Sequence, residues 1–171
     1  HGLSEARLSI RKLSQDKLAV RVKFKQLPLI QHWVIELSKG NQINWKSILE
    51  IKRLFSVDAV KANIFFTDGY DTWIDHQAQE NKFPDFTQTH ILGCQTVGET
   101  FLAISSSDSQ TFPLEFKVSN AHNNLIIRNT ESTPACRALE IRSDQDCQSY
   151  HLGMYTCLNV RIQLYQDRLV F

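Results

Sequence analysis

Apolar and polar residues alternate along most of this chain with a period of two, which places successive side chains on opposite faces of an extended strand. From Leu18 to Phe24, Leu18, Val20, Val22 and Phe24 interleave with Ala19, Arg21 and Lys23. Just before them, Leu8 and Ile10 interleave with Arg7, Ser9 and Arg11, and the polar connection Ser14-Gln15-Asp16-Lys17 makes a hairpin the simplest joining of the two runs. Trp33, Ile35 and Leu37 continue the pattern up to the turn signal Ser38-Lys39-Gly40-Asn41. Further strands are expected at 60–66, 100–104, 112–118, 125–128, 136–142 and 155–164. In the last of these, Leu158, Val160, Ile162 and Leu164 alternate with Asn159, Arg161 and Gln163.

One segment breaks the period. Ser47 and Glu50 have the spacing of a capping box, and Ile48, Ile51, Leu54 and Phe55 would share one face of a short helix following it. The polar stretch 75–88 is the longest candidate loop. About seven to nine short strands with at most one short helix point to a mainly β chain, an antiparallel β-sandwich of immunoglobulin-like or jelly-roll-like form. With 171 residues, 42% of them hydrophobic, the chain is expected to form a single domain over residues 1–171.

The cysteines add a compartment. Cys136, Cys147 and Cys157 crowd the C-terminal strands and Cys94 lies upstream, a density in a small β chain that reads as disulfide stapling. Four cysteines allow three connectivities. The polar stretch after Arg142 favours Cys136–Cys147, which leaves Cys94–Cys157 to close a long loop, a constraint on the order of 4 kcal/mol. The expected setting is therefore extracytoplasmic: secreted, periplasmic or on a cell surface. No run of about 18 apolar residues occurs, and the apolar ending Leu169-Val170-Phe171 reads either as a terminal edge strand or as the approach to a membrane tether.

Nineteen basic and eighteen acidic residues give a net charge of +1, so the balance supplies no long-range pull toward nucleic acid, and no nucleic-acid partner is expected. Arg21, Lys23 and Lys25 share one face of their strand and read as a solvated outward face. There is no phosphate-cradling glycine loop and no Gly-x-Ser-x-Gly elbow. Whether the chain is an enzyme is left open by its residues, with binding favoured over catalysis. Tyr70 and Trp73 flank the Asp68-Gly69 turn, where exposed aromatics would offer contact area and a polar handle to a protein or glycan partner. A structural subunit that pairs an edge strand with a partner is a further reading.

A different chemistry attaches to the first residue. If His1 is a mature terminus, its α-amino nitrogen and imidazole hold one metal ion together, and a second histidine completes a three-nitrogen site suited to copper. The His1-Gly2 opening resembles that of secreted copper proteins, including the chitin- and cellulose-cleaving lytic monooxygenases. That resemblance implies copper held by His1 and His122, the histidine that follows the 112–118 strand.

Overall fold

The computed structural model describes residues 5–58, 60–74, 79–83, 91–96, 100–105, 111–119, 123–129, 136–143 and 148–166. Among these residues fifteen strands run in chain order: β1 (Ala6–Ser14), β2 (Lys17–Phe24), β3 (Leu29–Ser38), β4 (Gln42–Ile51), β5 (Phe55–Val57), β6 (Lys61–Phe66), β7 (Thr72–Ile74), β8 (Glu80–Lys82), β9 (Ile91–Thr96), β10 (Thr100–Ser105), β11 (Leu114–Val118), β12 (Asn123–Asn129), β13 (Arg137–Ser143), β14 (Gln148–Tyr150) and β15 (Gly153–Leu164). All pairings are antiparallel. They build a nine-stranded sheet in the order β1-β2-β3-β4-β15-β11-β10-β7-β8, a four-stranded sheet β6-β13-β12-β9, and a small ribbon of β14 with β5. The larger sheet is wider than either sheet of an immunoglobulin sandwich.

Register gives the wide sheet one apolar face. Val20 on β2 sits opposite Trp33 on β3, Trp33 opposite Ser47 on β4, and Ser47 opposite Leu158 on β15. Val160 then faces Val118 and Ile162 faces Phe116 on β11. Because directly opposed residues share a face, these side chains line one surface. Phe116, Val118, Leu158, Val160, Ile104 and Trp73 from the wide sheet form one core with Phe66, Ile127, Leu139 and Ile141 from the four-stranded sheet. The two sheets are thus a sandwich with its main core under β15, β11, β10 and β7. A second cluster of Leu29, Leu49, Ile51 and Tyr150 lies where the β5–β14 ribbon meets the ends of β3 and β4.

The expected short helix is absent, and its residues are divided between β4, the connection 52–54 and the start of β5. Ile43, Trp45, Ser47, Leu49 and Ile51 alternate as the core-facing set of β4, and β4 pairs along its whole length with both β3 and β15. Two ladders of backbone hydrogen bonds outweigh a single capping signal. Part of the expected 75–88 loop is also a strand, β8, paired with β7.

The proposed Cys94–Cys157 bridge is not formed. Cys157 is a free, half-buried thiol at a bulge in β15, packed toward Ala62 and Ile141 of β6 and β13. Cys94 belongs to β9, at the opposite edge of the four-stranded sheet from β6. Strands spaced by about 4.8 Å put that edge well beyond the reach of a disulfide, whose Cα atoms lie within about 7 Å. No disulfide occurs among the described residues, and Cys147, the proposed partner of Cys136, lies outside them.

Phe116 is fully buried at the centre of the main core, whereas Phe65 is 60% exposed on the outer face. Phe116→Ala is expected to cost about 3–5 kcal/mol of unfolding free energy, and Phe65→Ala less than about 1 kcal/mol. Urea titration of the two variants measures the difference.

Candidate functional site

Among the described residues two recesses adjoin the sandwich core, besides one of about 490 Å³ at the β1–β2 edge. The larger of the two, about 600 Å³, lies at one end of the sandwich, where the β3–β4 turn meets the start of β11 and the end of β15. The hairpin turns through Lys39, Gly40 and Asn41, with φ of 80° at Gly40 and 60° at Asn41. Both angles lie in the left-handed region, which glycine adopts freely and asparagine tolerates better than most residues. That turn keeps Leu37 opposite Ile43 and Ser38 opposite Gln42.

Hydrogen bonds fix the rim of this groove. The Leu164 amide donates to the Asn41 carbonyl at 3.1 Å and the Tyr165 amide to the Pro113 carbonyl at 3.0 Å, which extends the sheet ladder past β15. The Gln163 side-chain amide donates to the Gly40 carbonyl. Gln42 donates to Asn44 at 3.0 Å, and Asn44 in turn donates to the Ser38 hydroxyl at 2.8 Å. The Tyr165 hydroxyl donates to the Glu115 carboxylate, and that bond, with burial added, pushes the phenol up to about 12.

The walls are mostly apolar: Leu37, Ile43, Phe112, Leu164 and the ring of Tyr165. Phe112 and Leu37 remain more than half exposed, at 54% and 55%. Ser38, Asn41, Gln42 and Gln166 supply neutral hydrogen-bonding groups, and Lys39 on the turn adds one cation. The described residues that line the groove include no acid, histidine or cysteine, so what they offer is contact and hydrogen bonding.

The second recess is a narrower cleft of about 180 Å³ between the sheets, bounded by Trp33, Trp45, Ser47, Asn63 and Cys157. The two indoles meet edge to face, their centroids 5.7 Å apart. The Cys157 thiol donates to the Ser47 carbonyl and hydroxyl, both at 3.4 Å. Burial pushes this thiol up, against a smaller downward pull from Ser47. It therefore stays protonated and a poor nucleophile at neutral pH.

Tyr70 and Trp73 do not form a contact surface: each is only 7% exposed and both belong to the main core. Tyr70 nevertheless touches the groove from beneath, because its hydroxyl donates to the Phe112 carbonyl at 2.8 Å. Trp73 packs in the core with its indole nitrogen buried. His1, His122 and the 169–171 segment lie outside the described residues. His32 pairs with Glu50 at 2.8 Å on the outer face.

With this geometry in hand, comparison with solved structures finds a crystal structure of a galactose mutarotase-like protein from Clostridium acetobutylicum, similar at a TM-score of 0.50. Identity is 14%, and the match takes in 93% of this chain but 66% of that one. The likeness is one of fold, a mainly antiparallel β-sandwich. No family model and no curated protein matches the chain.

The groove residues Phe112, Leu37 and Tyr165 carry no motif, and the only sequence signal near them is the Ser38–Asn41 turn. Cys157 is expected to resist alkylation in the native protein and to react on unfolding without any reductant. Mass spectrometry of iodoacetamide-treated samples checks this; modification that needs a reductant would mean that Cys157 is bridged.

Proposed function

We propose that this chain is a binding domain whose end groove takes a neutral glycan. The observation that carries this reading is the exposed Phe112 ring beside Tyr165, in a groove whose polar side chains are amides and hydroxyls, with Lys39 as its single charged group among the described residues. A sugar ring presents weakly polar C–H faces and hydroxyl edges, so it fits flat apolar walls rimmed with neutral donors and acceptors. A groove of about 600 Å³ falls within the ordinary range for small-ligand sites, about 300–1,000 Å³. The solved neighbour is described as galactose mutarotase-like, a sugar name that agrees with this ligand class. The reading itself rests on the groove.

Phe112→Ala should leave folding intact, since the ring is largely in water, and should weaken glycan affinity about tenfold or more, equivalent to about 1.4 kcal/mol. A neutral-glycan array followed by calorimetry on the strongest hit measures it. No bound glycan, or equal affinity in the variant, overturns the assignment, and capture of a protein ligand at the same groove would replace it.

An extracytoplasmic setting belongs to the same proposal and rests on the cysteine density, now narrowed to a Cys136–Cys147 bridge. Non-reducing digestion of protein from its native source is expected to yield a linked Cys136–Cys147 peptide. Free thiols at both positions contradict it.

A further inference from the structure

The β1–β2 hairpin at the edge of the wide sheet carries two different surfaces that the end groove does not use. On the core-facing side the apolar face runs on beyond its cover. Leu8 and Ile10 of β1 lie opposite Val22 and Val20, yet they are 59% and 63% exposed, and Leu18 beside them is exposed as well. On the outer side Arg7 lies opposite Lys23 and Ser9 opposite Arg21, so Arg7 and Arg11 flank Arg21 diagonally, at about 7–8 Å.

Several cations elsewhere on this outer side are matched, although Lys46 and Arg161 have no ion-pair partner among the described residues. Lys17 pairs with Glu36 at 2.9 Å, Lys25 with Glu5 at 2.6 Å, and both His32 and Lys52 with Glu50, whose carboxyl they hold below the usual range. Among the described residues no carboxylate lies within ion-pair distance of Arg7, Arg11, Arg21 or Lys23. Like charges directly opposed on neighbouring strands weaken a hairpin. Their concentration at an open edge is what an incoming negative partner would relieve.

We infer that β1 is a docking edge for an extended partner segment that alternates apolar and acidic residues. It adds to the nine-stranded sheet as a tenth strand, apolar side chains against Leu8 and Ile10 and carboxylates against Arg7 and Arg11. Main-chain hydrogen bonds along an edge supply affinity in such additions, and alternate side chains supply selectivity. A second copy fits poorly, because two-fold pairing of β1 with itself gathers both copies' Arg7 and Arg11 on one face. An anionic membrane needs its cations beside its apolar groups, and on this hairpin only Lys12 shares the side of Leu8 and Ile10 while Arg7, Arg11, Arg21 and Lys23 point oppositely. Nucleic acid would engage the basic side and leave Leu8 and Ile10 in water.

The test uses the full chain and labelled nine-residue peptides read by fluorescence anisotropy: one alternating valine and glutamate, one alternating valine and lysine, and a glutamate peptide interrupted by prolines. The valine–glutamate peptide is expected to bind, with affinity falling at high salt and the proline peptide at least about tenfold weaker. The double variant Arg7→Glu with Arg11→Glu, its fold checked by circular dichroism, should lose that peptide and gain the lysine one. Absence of binding overturns the inference, as does indifference to proline, which would reveal a plain polyanion patch. Concentration-dependent self-association abolished by the double variant would identify a second copy as the occupant and also overturn it. No residue of the end groove takes part, so either site can fail alone.

Discussion

A single apolar face carried in register across neighbouring strands is the constraint from which the rest of the molecule follows. Each strand of the wide sheet contributes alternate side chains to that face, and the cross-strand register from β2 to β7 keeps them level. Water must be excluded from it, and the four-stranded sheet does so where Phe116, Val118, Leu158 and Val160 meet Ile127, Leu139 and Ile141. Because the cover is narrower than the sheet, the apolar face emerges at two margins. One margin, at the end of β3, β4 and β15, becomes the groove. The other, along β1, becomes the open edge.

Buried polar contacts hold the two layers together where apolar packing gives out. Arg137 lies on β13 in the row of Leu139 and Ile141, at the limit of the core. It donates to the Tyr70 carbonyl at 3.1 Å and to the Asn129 side chain, and stacks over the Phe83 ring at 4.7 Å. A buried guanidinium is tolerable only with such partners. The same segment turns Tyr70 inward, where its hydroxyl reaches Phe112. In this way the core on one side of the molecule supports the exposed ring on the other.

What the sequence disclosed and what it hid have physical causes. The β1–β2 hairpin was legible because its outer face is solvated, so Arg7, Arg21 and Lys23 contrast sharply with Val20 and Val22. β4 was obscured because Ile48 on its outer face and Ile51 on its inner face, followed by Leu54 and Phe55, mimic helical spacing, and only pairing with β3 and β15 resolves the period. Three-residue strands such as β5, β8 and β14 are too short to show any period. Tyr70 and Trp73 were placed beside the right turn, but proximity to a turn does not say which way a ring points. The groove escaped notice because it is assembled from segments more than 50 residues apart, each unremarkable alone.

The division of the wide sheet into a covered centre and an open margin is tested most directly by hydrogen–deuterium exchange resolved by strand on the isolated chain. Amides of β4, β11, β13 and β15 are expected to exchange slowly and together, with β1 much faster than any of them. Slow exchange of β1 to the level of β15, or rapid exchange throughout β13, would contradict the account, because the first means a covered edge and the second an undocked four-stranded sheet.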